Sequence, residues 1–297
     1  MDLNAFQQAA LLTDNTAHHY EGEESRKDLV VALLGIAGEL GTLATAYKKF
    51  LRDGPSYGLY QANVKEELGD LLWYVAVLAH KFGLDLSAIA EDNLAKTNGR
   101  WGAASTEIHY DTAYPEKEQL PRNFIISFSE IPIDGDGTKV VLKWQDLVLG
   151  DNLTDNVKNE DGYRFHDAFH LSFAAVLGWS PVLRKLMHKK RKSDKRIDEY
   201  EDGGRAIVIE EGIAAYIFEY GEAHDDLERV RAVDFDVLKT AKSMTQRLEV
   251  SSRSWHDWEL AIMSGYAVFR ELKRNRGGWV IGDLDARTIR YAKERPE

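Results

Sequence analysis

The stretch from Val64 to Leu86, VKEELGDLLWYVAVLAHKFGLDL, constrains the fold more than any other part of the chain. Leu68, Leu71, Leu72, Val75, Leu78, Ala79 and Phe82 recur at the three-and-four spacing of one helical face, so the period predicts an amphipathic helix with that face buried. Carboxylates run beside it. Glu67 and Asp70 are three residues apart, about one turn along the same side, and Glu66 is four from Asp70. Acids held this closely repel one another unless a positive group sits between them, and a hard divalent cation such as Mg²⁺, or Mn²⁺ in its place, meets that need. Trp73 and Tyr74 follow Asp70 by three and four, which offers aromatic surface to whatever the cation holds.

An E-x-x-D on a helix is by itself a common solvated edge. A second helix changes its weight: in Leu33 to Leu51, Leu33, Ile36, Ala37, Leu40, Leu43, Ala44, Tyr47, Phe50 and Leu51 again form an apolar stripe, bordered by Glu39. Thr42 lies a turn further on, and Lys49 falls almost directly above it, while Lys48 points away. A carboxylate, a hydroxyl and an ammonium on one edge suit a metal with phosphate attached.

The run GIAGELGTLATAYKK, then VKEELGDLLWYVAVLA, then NLAKTNGRW resembles the MazG-type nucleoside triphosphate pyrophosphohydrolases of the all-α superfamily, from FQQAALLT at Phe6 through Trp101. The resemblance implies that acids on two helices bind Mg²⁺, which positions a triphosphate and a water so that the α-phosphorus is attacked and pyrophosphate leaves. Residue by residue, Glu39, Glu67 and Asp70 match metal ligands, with Glu66 beside them as a further candidate to orient water. Lys49, Asn93, Lys96 and Arg100 match phosphate contacts. One departure stands out: Thr42 occupies a place where the family usually has glutamate, and Gly38 replaces the first of a common glutamate pair. Family members generally assemble from paired subunits, so a homodimer or higher homo-oligomer is expected. About 100 residues of helices this apolar point the same way.

The chain's 297 residues allow about two domains. A net charge of −11 argues against direct nucleic-acid binding through a broadly basic surface. The absence of cysteine excludes disulfides and thiolate chemistry and suits the cell interior. MDLNAFQQAALLTDN lacks the features of a signal peptide, and no apolar run is expected to reach bilayer-spanning length, so a cytoplasmic protein without membrane contact is predicted. His18 and His19 read as solvated, and Arg52 to Tyr60 as a Gly/Pro-containing connection placed to act as a lid. A third helix, capped by Asp85 or Ser87, is expected to stop at Asn98-Gly99.

The expected fold class is mainly α: a MazG-like helical bundle over residues 1–102, then a mostly helical domain with a β-hairpin over residues 103–297. Asn123 to Ile131 and Lys139 to Gln145, joined by Asp134-Gly135-Asp136-Gly137, form the hairpin. Residues 161–188 read as a buried helix broken near Gly178 and Pro181, and KKRKSDKRIDEYEDGGR as an exposed charged loop. Further helices are expected over 205–222, 233–248 and 254–275. The phrases GDNLTDN, DGYRFHDAFHLSFAAVLGWSP and EDGGRAIVIEEGIAAYIF resemble the C-terminal extension of longer MazG-type proteins, which carries over no chemistry. HDAFH has the outer spacing of a zinc-protease H-E-x-x-H with aspartate at the second place. His166 and His170, one turn apart on an apolar helix, and a carboxylate of the next helix, Glu211 or its neighbour Glu210, are expected to cluster as either a metal site or a hydrogen-bonded network.

Three functional readings follow. The first is a Mg²⁺-dependent hydrolase converting nucleoside triphosphates, deoxynucleotides among them, to monophosphate and pyrophosphate. The second is a nucleotide-binding sensor that has lost turnover through Thr42 and signals to the second half. The third treats residues 103–297 as a structural or partner-binding module only.

Overall fold

Asp2 opens the first helix, α1 (Leu3–Leu11), by accepting the Ala5 N–H at 2.7 Å, a side-chain N-cap. The computed structural model describes residues 1–15, 26–101, 109–133, 137–155, 157 and 160–296; His18, His19 and the hairpin tip 134–136 lie outside them. The chain divides into two compact units, Met1–Asn98 and Gly99–Glu297.

In the first unit α2 (Arg26–Asp53) and α3 (Tyr60–Lys81) pack along one another. Phe50 stacks on Tyr60 with ring centroids 4.4 Å apart, Glu39 meets Glu67, and Tyr74 seats against Gly35. The paired numbers run in opposite orders, so the helices are antiparallel. A Cβ at Gly35 would lie 2.3 Å from the Tyr74 ring, which is why only glycine allows this approach. The connection expected as a lid is a short 3₁₀ turn, Gly54–Ser56, followed by a tie in which Asn63 Nδ2 donates to Tyr57 Oη at 2.7 Å. Gln7 is buried and clamps the turn into α4 (Leu86–Trp101): its Nε2 donates to Leu84 O at 3.0 Å and its Oε1 accepts from Leu86 N at 3.0 Å. Asp85 accepts the Ala88 N–H at 2.9 Å, and α4 runs past Asn98-Gly99 instead of stopping there.

The buried faces of α2 and α3 match the expected ones only in part: Ala79 is buried as expected and Ile36, Leu43, Phe50, Leu71 and Leu78 are partly buried. Ala32 and Ala46 on α2 and Ala76, Val77 and Ala79 on α3 are buried, while Leu33, Leu40, Tyr47, Leu51, Leu68, Leu72, Val75 and Phe82 are exposed. Small residues let the two backbones approach, and the large apolar side chains are left facing outward from this unit. The expectation about apolar length is also corrected: the helix from Leu29 to Ser56 is long and apolar enough to cross a bilayer by length and composition. Glu39 is the single charged residue between Leu29 and Tyr47, which is why this helix is so apolar overall.

The second unit is built around α10 (Trp255–Asn275), whose Trp258, Ile262, Tyr266 and Phe269 are fully buried. Its N-terminus is fixed by a capping box between Ser254 and Asp257. The expected hairpin is present as β1 (Asn123–Ile133) and β2 (Gly137–Trp144), but it belongs to a five-stranded antiparallel sheet. β3 (Leu147–Leu153), β4 (Gly277–Asp283) and β5 (Thr288–Ala292) complete it in the order β3-β2-β1-β4-β5. Phe124, Ile126 and Phe128 alternate onto the buried face. β4 reaches β1 through Gly277 and Gly278, both at positive φ; a Cβ on Gly277 would meet Phe128 O at 2.5 Å. A strand beginning with two such glycines carries little strand propensity of its own.

Residues 161–188 form the expected buried helix with its break at Gly178 and Pro181: after a 3₁₀ turn (Tyr163–Phe165), α5 (Asp167–Ser172) continues directly into a π-helical turn (Phe173–Leu177) that ends at the left-handed Gly178, and α6 (Pro181–Leu186) restarts beyond it. α7 (Lys195–Tyr200), α8 (Gly204–Glu222) and α9 (Phe235–Met244) follow. The charged run before α8 is not an exposed loop: Arg191 and Asp202 are both buried. Asp202 accepts from the Arg191 backbone N–H at 2.7 Å and from its Nη2 at 2.7 Å, and Glu249 takes the same guanidinium at 2.7 and 2.8 Å. Next to it, Arg184 donates to Asp111 at 2.7 Å, so residues just after the linker region are tied into this unit. Burying charge is tolerable here because each charge is paired and multiply hydrogen-bonded.

Removing one partner should therefore be costly. Asp202→Ala strands the Arg191 guanidinium and is expected to lower the unfolding free energy by about 3–5 kcal/mol, read from denaturant titration of the full chain followed by fluorescence of the buried Trp179 and Trp258. A loss under about 1 kcal/mol, the range of an exposed ion pair, would show that this network does not hold the unit together.

Candidate functional site

Because α2 and α3 run antiparallel, Glu39 on one faces Glu67 and Asp70 on the other, and a carboxylate oxygen from each lies within 4.8 Å of the other two. Glu39 and Glu67 are partly buried and Asp70 is exposed. Partial burial, a hydrogen bond with Glu39, and repulsion from Glu39, Glu66 and Asp70 together raise the Glu67 carboxyl above its ordinary range. The arrangement is short of positive charge. Oxygen-only donors at this spacing are what a hard divalent cation takes.

The remaining residues singled out in this unit are distributed as follows. Glu66 is exposed beside the trio. Thr42 is exposed and its hydroxyl donates back to Gly38 O at 3.3 Å, within its own helix. Lys49 is exposed, with Nζ 6.0 Å from the centre of the Tyr57 ring. Trp73 packs with the small cluster of Ala10, Ala76 and Leu86, and its indole N–H donates to Thr13 at 2.8 Å. Tyr74 is partly buried against Gly35. Asn93 and Lys96 are exposed on α4. Arg100, counted in the second unit, donates to Val233 O at 2.9 Å and lies 3.8 Å from Glu259.

The second unit holds another group of donors. His166, His170 and Glu211 each offer one atom within 4.8 Å of the others. Glu210, fully buried, accepts from Ser180 Oγ at 2.6 Å and Val182 N at 2.8 Å, and its Oε1 lies 2.8 Å from His170 Nδ1. His166 Nδ1 lies 2.8 Å from the Tyr163 carbonyl, and the Tyr163 ring stacks on the imidazole at 4.3 Å. Burial disfavours a charged His170, but Glu210, Glu211 and Asp167 outweigh it and raise its pKa to about 10. Glu210 and Glu211 thus take different places: the first sits on Nδ1 and the second, 3.3 Å from Nε2, on the opposite side of the ring. The expected cluster did not include Asp167, the aspartate at the second place of HDAFH, although its spacing of three from His170 puts it on the same turn. Its Oδ1 lies 3.6 Å from His166 Nε2 and 4.0 Å from His170 Nε2.

Comparison with known proteins adds three findings. The model of the MazG nucleotide pyrophosphohydrolase domain matches residues 32–102, and that of the MazG C-terminal domain matches residues 105–295. The "Gene 37 protein" of Mycobacterium phage L5 is 35% identical over 104 residues, which is 34% of this chain and 89% of that protein. No solved structure matches. With the acidic trio of α2 and α3 inside the first matched region and the sheet and α10 inside the second, the chain belongs to the MazG family, in the form that joins the pyrophosphohydrolase domain to a MazG C-terminal domain.

Proposed function

We propose that residues 1–102 form the catalytic domain and hydrolyse nucleoside triphosphates, deoxynucleotides among them, to the monophosphate and pyrophosphate with Mg²⁺. The observation that carries this reading is the meeting of Glu39, Glu67 and Asp70 across two helices with a raised Glu67 carboxyl. These residues fit the ion, because three oxygen donors that crowd one another in its absence are relieved by a hard cation. When bound, Mg²⁺ supplies neutralisation of phosphate charge and a polarised water. Glu39, Glu67 and Asp70 would hold it, and the exposed Glu66 would orient water beside them. Lys49, Asn93 and Lys96, all exposed, would meet phosphate oxygens as charge-assisted or amide donors. Trp73 and Tyr74 act as supports for α3 in this account, since the indole N–H is occupied by Thr13 and the phenol ring is seated on Gly35.

A second reading, a nucleotide-binding sensor without turnover, is favoured by one observation. Thr42 turns its hydroxyl to the Gly38 carbonyl and so brings no charge to the place where the family usually has glutamate. Pyrophosphate release separates the two readings. With Mg²⁺ and a panel of ribo- and deoxynucleoside triphosphates, the wild-type chain should release pyrophosphate, and Glu67→Gln should lower the rate by about 10²-fold or more without loss of helix content. Because the Glu67 carboxyl must ionise to hold the cation and its pKa is raised, Mg²⁺ affinity should start to fall on acidification at a higher pH than an ordinary glutamate would cause. Binding of triphosphate without any turnover would establish the sensor instead.

The exposed leucines of α2 and α3 support a further part of the proposal, pairing with a second copy. Leu33, Leu40, Leu51 and Leu68 are each more than half exposed, a density of large apolar side chains that marks an interaction surface. Sedimentation at working concentration should give a dimer or larger, and Leu40→Glu should shift the population toward monomer. An active monomeric wild type would refute the assembly.

A further inference from the structure

We infer that the C-terminal domain carries its own site for a single divalent transition-metal ion of the zinc class, with His166 Nε2, His170 Nε2 and Glu211 as donors and Asp167 beside the two histidines. The argument begins from the ring nitrogens that face away from the site. Glu210 accepts from Ser180 and Val182 and is fully buried, so it is an acceptor and His170 Nδ1 must donate to it. The Tyr163 carbonyl has no proton to give, so His166 Nδ1 donates as well. Both Nδ1 atoms are thereby fixed as donors, and both Nε2 atoms are left for the same small space, where a metal ion would displace any proton that His170 carries there. Histidines that bind a metal through one ring nitrogen usually donate the other ring N–H to a carboxylate or a backbone carbonyl, as both do here.

The second observation is independent of tautomers. His170 is 1% exposed, yet its Nε2 has no hydrogen-bond partner among the described residues. Glu211 Oε2 is 3.3 Å away but outside the direction in which a ring N–H would donate. A buried polar atom left in this state is uncommon and costly. A metal ion removes the deficit. Ligands at about 2.0–2.2 Å from a tetrahedral zinc stand about 3.3–3.6 Å from one another. His166, His170 and Glu211 each offer an atom within 4.8 Å of the other two, with His170–Glu211 at 3.3 Å and His166–Glu211 at 4.0 Å, a triangle that a small closure brings to that size; Asp167, 3.6 Å from His166 and 4.0 Å from His170, stands at its side. Two imidazoles and a carboxylate favour zinc and its transition-metal neighbours over Mg²⁺. His166, His170 and Asp167 are sheltered, whereas the Glu211 side chain is 44% exposed, so one edge of the site is open to solvent. The competing account is a metal-free network in which an imidazolium on His170 satisfies the surrounding carboxylates.

The test uses the full, untagged chain, stripped with chelator and dialysed against micromolar Zn²⁺ in excess Mg²⁺, so that the all-oxygen site of the first domain does not compete for the count. One zinc per chain should be retained, and Co²⁺ in its place should give visible ligand-field bands. Glu211→Gln, at the open edge where folding is least affected, and His166→Asn should each weaken Zn²⁺ binding by at least about tenfold with unchanged circular dichroism. A wild-type chain that retains no Zn²⁺, or one whose retained Zn²⁺ is insensitive to both substitutions, would overturn the inference and leave the metal-free network. This outcome is independent of whether the first domain hydrolyses nucleotides.

Discussion

Carboxylates removed from bulk water, or crowded against one another, must be met by positive charge, and this requirement organises both units of the chain. In the second unit it is met internally. Arg191 lies between Asp202 and Glu249, Arg184 and Arg122 meet Asp111, Arg164 meets Asp155 and Glu130, and Arg287 meets Asp257. These pairs draw together positions far apart in sequence and so fix loops that a hydrophobic core alone would leave loose. Two groups of acids lack such a partner or hold a mismatched one. In the Glu39, Glu67 and Asp70 trio no arginine or lysine intervenes among the described ion pairs, and beside His170 the geometry leaves Nε2 unsatisfied. Places where a fold leaves a charge requirement open are where an exogenous cation has most to gain.

The two groups differ in donor chemistry and so in what they are suited to. Three carboxylates on the rim of a helix pair offer hard oxygen and partial exposure, which fits an ion that must also carry a polyphosphate. The imidazole-bearing group is sheltered except at Glu211, and its His170 is held by Glu210, which is itself fixed by donors from Ser180 and Val182; this fits a more tightly held ion. Thr42 brings no charge to the neighbourhood of the first site, since its hydroxyl is taken up by the Gly38 carbonyl within the same helix.

The α2–α3 acids were legible in the sequence because a helix has a fixed period: once both helices were recognised, residues bordering their apolar faces had to come near each other. What those faces packed against was not legible. The same leucines serve a monomeric core or a contact between copies, and the structure gives the interior to Ala32, Ala46, Ala76 and Ala79 instead. β4 and β5 were missed because Gly277, Gly278 and Gly282 interrupt any alternating pattern, and those glycines are required where the Phe128 backbone and the Tyr291 and Phe124 rings come close. The charged run around Arg191 looked solvated because its counter-ion Glu249 is 58 residues away. For the histidine group the spacing of His166 and His170 was informative, whereas the division of labour between Glu210 and Glu211 required knowing where Ser180 and Val182 fold back.

The central claim is that the helix-pair site directs water to the α-phosphorus of a nucleoside triphosphate. Hydrolysis in ¹⁸O-labelled water, with both products read by mass spectrometry, tests it directly. Label should appear in the nucleoside monophosphate, with unlabelled pyrophosphate as the other product. Label in pyrophosphate, or release of orthophosphate and a nucleoside diphosphate, would contradict the account.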